Sequence, residues 1–291
     1  MRLREIGDFA REVVGEWQRD NALSHGAALA YYTLFSLTPL LVLIIIVAGL
    51  VLGRAAAQGE VVAQIQGLVG PDTARTVQDM VARASTPASG IVPTLVSLAA
   101  IVLGASGLVG QLRFSLNQIW GVTAPRGGGA WAMLRQRLVA LGVIAGMGML
   151  LLLSALLSAV LAIAHELVAR HLPLLARVLP LANFALSLAV STAFFAMIYE
   201  FLPDVDLHWR EVWLGAVITA ILFTAGKSLI AIYLGRAGAA SIYGAAGSLV
   251  LLLLWVYYSV QILLLGAEVT EVYARRYGSL QGRDGRSGGG A

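Results

Sequence analysis

The sequence predicts an all-α, polytopic membrane protein: six transmembrane helices with amphipathic interfacial helices beside them. Three observations predict it. Apolar runs of at least 20 residues occur at about 27–53, 91–110, 138–164, 179–200, 212–234 and 242–268. A hydrocarbon core of about 30 Å takes about 20 apolar residues as a helix, and none of these runs alternates with the period-two pattern of a barrel strand. Only 12% of the 291 residues are charged, about half the ~25% of a soluble domain, so most of the surface faces something other than water. Finally, the basic residues outside the runs are lopsided. Thirteen lie on the side of the N-terminus and six on the other. That asymmetry places both termini in the cytoplasm.

Residues 1–26 precede the first span. Leu3, Ile6, Phe9, Val13, Val14 and Trp17 recur at helical spacing, with Arg2, Arg4, Arg11, Glu12 and Arg19 elsewhere around the wheel. The pattern predicts an amphipathic cytoplasmic helix, lying in the inner leaflet or packed against a cytoplasmic loop of the bundle. The apolar run at 27–53 is longer than the ~7–15 residues of a signal-peptide core, so it is expected to remain as a span.

The six-helix domain extends over 27–275. Span 1 contains Pro39, which removes the hydrogen bond to the Phe35 carbonyl, with Tyr31, Tyr32, Thr33, Ser36 and Thr38 just before it. Such a kink either lines a polar cavity or packs against a neighbour. The loop at 54–90 predicts two short amphipathic helices hinged at Gly70-Pro71, and 165–178 predicts a third. Lys227 is the one charge deep inside a span. It either snorkels or offers a buried anion site. Gly244 and Gly247 open span 6 and allow close packing or hinging. That span continues through Trp255, Tyr257, Tyr258 and Gln261 to Glu268, which is placed to cap, to pair with Arg113 or Arg210, or to gate an inner mouth. Residues 276–291 read as a disordered cytoplasmic tail.

Catalytic signatures are absent from the chain. There is no cysteine, hence no disulfide or thiolate metal site. The four histidines lack metal spacing, and Glu200, Asp204, Asp206 and Glu211 read as a solvated turn with helix caps. No metal, cofactor or catalytic residue is expected. The expected partners are membrane lipids and an anionic lipid or small molecule, with no nucleic acid.

The segments together resemble the YihY/BrkB family of inner-membrane proteins. The resemblance runs from about residue 10 to 275 and rests on Ala27 to Leu40, on Leu116-Asn117-Gln118-Ile119-Trp120, and on Tyr199 with Leu202-Pro203-Asp204. It continues in Trp209-Arg210, Gly215-Ala216, Lys227, Tyr233, Ile242-Tyr243-Gly244, Leu253 to Tyr257, and Leu265-Gly266-Ala267-Glu268. It implies a six-helix inner-membrane protein loosely linked to envelope lipid handling. The family's old ribonuclease label is set aside, because a nuclease needs a water-activating metal or an acid–base pair. Two functions stand. One is a transporter or flippase-like protein for an anionic amphipathic substrate, with Lys227, Tyr243, Tyr32 and Ser36 contacting it and Pro39, Gly244, Gly247, Gln261 and Glu268 as hinge and gate. The other is a non-transporting envelope scaffold or assembly factor.

Overall fold

The computed structural model of the chain describes residues 3–84, 91–122, 138–139, 142–150, 153–154, 156–161, 179–205, 207–237 and 247–280. Among them every regular element is helical. We number them α1 (Leu3–Arg19), α2 (Ala22–Leu52), α3 (Arg54–Val69), α4 (Pro71–Ala84), α5 (Ile91–Ile119), α6 (Leu179–Phe201), α7 (Trp209–Ala237) and α8 (Gly247–Tyr277). Residues 142–150 and 156–161 are helical as well. Of the tail expected at 276–291, residues 276–280 belong to α8 and the turn that ends it, and 281–291 lie outside the described residues, as does the amphipathic segment expected at 165–178.

Three helices among the described residues are long and apolar enough to cross a membrane: Ala22–Leu50, Pro180–Phe201 and Leu249–Tyr277. Their outer surfaces are apolar: Tyr31, Phe35, Leu50, Leu181 and Leu254 point outward, while the polar residues Ser36, Thr192, Thr270 and Glu268 are buried among a mostly apolar interior. An apolar exterior suits a hydrocarbon solvent, where a hydroxyl must find its partner within the protein. Thr33, Thr192, Thr219, Thr224, Ser259 and Thr270 each donate to the carbonyl four residues earlier on their own helix.

α8 is the central element. It packs on α2, α7 and α1, and touches α4 and α5. Its crossing with α7 is unusually close. A Cβ on Gly266 would lie 1.7 Å from Thr219 Oγ1 and 2.5 Å from the Tyr199 hydroxyl, and one on Gly215 would lie 1.7 Å from Thr270 Oγ1. Each glycine thus receives the threonine of the facing helix. Into the same contact α6 brings Tyr199, which donates to the Leu263 carbonyl at 2.7 Å and lies 2.9 Å from Thr219 Oγ1. Small residues let backbones approach, and the gain is dispersion contact and satisfied hydroxyls. The motif segments around Tyr199, Gly215 and Gly266, far apart in sequence, are one three-helix joint.

The hinge expected at Gly70-Pro71 is present. Gly70 adopts φ 84°, a left-handed conformation that glycine takes without a Cβ penalty, and Pro71 opens α4. α3 and α4 fold back along α2. Val61, Val77 and Val81 bury against Ile44, Ile45 and Ala48 of α2 and Leu252 and Val256 of α8.

At the opposite end, α5 is tied to the turn between α6 and α7. Arg113 Nε donates to Asp204 Oδ2 at 3.0 Å, and its Nη2 donates to Oδ1. Asn117 donates to Asp204 Oδ2 at 2.9 Å and accepts from the Asp204 N–H at 2.8 Å. One carboxylate therefore holds a guanidinium fork and an amide together, with Trp120 edge-on to Tyr199 alongside (centroids 6.3 Å apart). Arg113, offered by sequence as a partner for Glu268, is committed to Asp204 instead.

Two substitutions test these joints. Gly266→Ala forces its Cβ into Thr219 and should cost about 2 kcal/mol in a thermal or denaturant midpoint measured in detergent. Gly26→Ala collides with the flexible amide end of Gln261 and otherwise touches the Tyr257 ring at 3.4 Å, so it should cost less, and equal losses would refute the close crossing. Separately, a double-mutant cycle on Arg113→Ala and Asp204→Ala should give a coupling of about 2 kcal/mol, as for a partly buried bidentate pair. A coupling near zero would remove the clamp.

Candidate functional site

α1 lies antiparallel along the last turns of α8. Glu12, Glu16 and Asp20 are four residues apart and share a face of α1. Arg275 Nη2 donates to Glu12 Oε1 at 2.7 Å and to Glu16 Oε1 at 2.9 Å, and its Nε lies 3.7 Å from Glu271 Oε1. Arg276 pairs with Glu12 and lies over the Phe9 ring, 5.8 Å from its centroid. Arg19 pairs with Glu16 at 3.1 Å. Beneath this ladder Val13, Val269 and Val272 form a small buried core. The amphipathic N-terminal helix thus packs against the end of α8 rather than against a loop of the bundle.

The ladder stops short of Glu268. This carboxyl has 0% exposure, and among the described residues neither of its oxygens receives a hydrogen bond. Its neighbours are the carboxyls of Asp20, Glu271 and Glu16. Asp20 is within hydrogen-bonding reach of it. Burial raises the Asp20 carboxyl above its ordinary value and the Glu16 charge adds to this, while contact with Glu268 and the Arg19 and Arg275 charges offset part of the rise.

Asp20 sits at an elbow. The following residue, Asn21, is the only non-glycine with positive φ among the described residues (φ 51°, ψ 39°), and α2 begins immediately after it. Asparagine is one of the few side chains that tolerate this left-handed conformation. Two turns before Glu268 on α8, Gln261 reaches the same elbow: its Nε2 donates to the Ala22 carbonyl at 3.2 Å. Its Oε1 is buried and receives no hydrogen bond among the described residues. Gln261 and Glu268, both anticipated at an inner mouth, are thus on one face of α8 and converge on the α1–α2 elbow.

The other anticipated residues lie elsewhere. Ser36 is buried, Tyr32 is largely exposed, and both face Gly107 of α5, while Pro39 presses on Gly104. Gly247 is buried at the start of α8. Lys227 is half-buried in α7, and no carboxylate among the described residues pairs with it. Its neighbour Gly226 lies against the Tyr258 hydroxyl of α8. Tyr243 and Gly244 fall outside the described residues, as does Asp206.

Sequence reasoning missed Asp20, Glu16 and Arg275. The signal was present, since acids at i, i+4 and i+8 on α1 match a Glu268-Glu271-Arg275 spacing on α8. Nothing in one sequence says that these two faces meet. Glu211 was read as part of a solvated turn. It is buried instead, accepting from the Ser279 N–H at 2.6 Å and its Oγ at 2.7 Å, and from the His208 N–H at 3.3 Å. The last contact is the reach-back of a capping box at the start of α7.

These features can be set beside known proteins. The model of a family described as virulence factor BrkB matches residues 13–288. A UPF0761 membrane protein of Azotobacter vinelandii is 29% identical over 268 residues, covering 90% of this chain and 62% of the relative. One from Verminephrobacter eiseniae is 31% identical over 210 residues (71% of this chain, 47% of the relative). Another, from Pseudomonas aeruginosa, is 28% identical over 264 residues (89% and 61%). The chain therefore spans only about half to three-fifths of the length of these curated relatives. No solved structure matches it. With the match running through the Asp204 clamp, the α6–α7–α8 joint and the Glu268 segment, this chain belongs to the BrkB family of membrane proteins.

Proposed function

We propose that this chain is a six-span inner-membrane protein with both termini in the cytoplasm, moving an anionic amphipathic molecule of the envelope-lipid type across or within the bilayer. The single observation that carries the reading is Lys227, a half-buried ammonium in α7 with no carboxylate partner among the described residues. A charge at membrane depth costs at least about 2.5 kcal/mol unless it meets water, a counter-charge or a polar ligand. An anionic head group supplies the last. The antiparallel docking of α1 on the end of α8 supports the topology: it brings the two ends of the helical domain to one side, which requires an even number of crossings. The six apolar runs and the arginine asymmetry agree with it.

The reading is non-enzymatic. Asp204 and Glu211 are the carboxylates a nuclease would need at that end, and each already accepts several hydrogen bonds from the protein's own donors. One observation favours the scaffold alternative. Gly104 of α5 packs directly on Pro39, and Gly107 on Ser36 and Tyr32, as in a closed bundle.

The test is lipid movement in proteoliposomes, with a head-group-labelled anionic phospholipid and a membrane-impermeant quencher. The purified chain should raise the rate above that of empty vesicles. Lys227→Glu should lower the increment about tenfold or more, the loss expected when a charge-assisted contact becomes a repulsion. Lys227→Arg should retain most of it. If the Lys227→Glu rate equals that of the parent, or the parent does no better than empty vesicles, the transport reading fails and the scaffold remains.

A further inference from the structure

The α1–α8 contact contains an asymmetry that its ion pairs do not explain. Glu12 and Glu16 meet Arg275 and Arg276, but one turn further along the buried Glu268 faces Asp20, another acid. Two ionised carboxylates in contact within a dehydrated joint repel, and a fully buried one without a donor is the costliest way to place a charge. The two groups can bond only if one of them is protonated.

We infer that Asp20 and Glu268 together form a proton-binding site at the α1–α2 elbow. With one proton between them the carboxyls hydrogen-bond and hold α1 against α8; when that proton leaves to water, their repulsion drives α1 outward about Asn21. This site does not depend on the transport reading, since it binds its proton whether or not anything is carried.

Three observations converge on it. Glu268 is completely buried with both oxygens free of donors among the described residues. The chain bends in a left-handed residue directly beside the pair, so motion of α1 needs a change at one position only. The rest of the joint is a ladder of partly exposed ion pairs, which weakens with salt and is the kind of contact that opens locally.

The charged groups facing the pair are Glu16 and Arg19 from α1 and Glu271 and Arg275 from α8. Three titratable groups on other elements near this end have partners of their own. His25 of α2 bonds Ser115, Arg113 of α5 holds Asp204, and Glu211 of α7 holds Ser279. α4 meets α8 around Leu252 and Val256, some three turns away. A metal ion is the poorer occupant. It would ask for about six oxygens, and no group of three or more acids or histidines spaced to hold one occurs among the described residues.

The sign follows from the raised Asp20 carboxyl, which favours the proton in the docked form. Docking is complete at low pH and is lost as pH rises through the docked pair's own titration. The two groups titrate as a unit.

The absence of cysteine makes the experiment direct. Gly7→Cys on α1 and Leu214→Cys on α7, both exposed, carry spin labels in the full chain in phospholipid nanodiscs. Pulsed-EPR distances are read from about pH 5 to about pH 9. The distance should lengthen with pH in this parent. It should stay short throughout in Asp20→Asn and in Glu268→Gln, whose amides donate the bond that the proton otherwise supplies. Difference infrared spectra should show a protonated-carboxyl band in the parent that Glu268→Gln removes. The proposal is overturned by a parent whose distance ignores pH, by the same pH response in both variants, or by a parent without the carboxyl band. It is equally overturned by a response that follows the identity of the cation, sodium or divalent, at constant pH and constant ionic strength.

Discussion

The close crossing of α7 and α8 at Gly215 and Gly266 is the contact from which the other positions follow. Helices in lipid gain nothing from hiding apolar side chains from water, so a stable crossing must come from backbone proximity and satisfied polar groups. Two glycines, two threonines and the Tyr199 hydroxyl provide both. The joint fixes the rotation of α8 about its own axis. With Gly266 turned toward α6 and α7, Glu268 and Gln261 necessarily look the other way, toward α1 and α2.

α8 therefore carries two polar faces of opposite character. On the α7 side Thr219, Thr270 and Tyr199 each have their hydrogen-bond partner and form a closed set. On the α1 side Glu268 and one oxygen of Gln261 are buried without a donor among the described residues. Saturated networks make a structure rigid, whereas a buried polar group left wanting marks a place where something else binds or moves. The same helix thus serves as anchor along one stripe and as a responsive element along the other.

Much of the architecture was legible from residue patterns. The amphipathic N-terminal helix, the α3–α4 pair and its Gly70-Pro71 break appear where spacing and turn chemistry placed them. Helix ends were less legible. α2 starts five residues before its apolar run, and α8 continues nine residues past its own. Charge marks where hydrocarbon stops, not where hydrogen bonding along the helix stops. The candidate site was half legible. An acid at the end of an apolar run is conspicuous, so Glu268 stood out. Asp20 did not, because an acid in an amphipathic helix ordinarily faces water. Only the fold shows that α1 turns that face inward, and that Arg113 is spent on Asp204, 91 positions away.

Glu211 carries a further consequence. By gripping both the backbone and the hydroxyl of Ser279, with Leu280 buried next to it, it converts the last turn of α8 from a fraying end into a fixed mount. A fluorescent reporter rigidly joined behind Leu280 would inherit that orientation, and its polarised emission would follow the tumbling of the entire bundle.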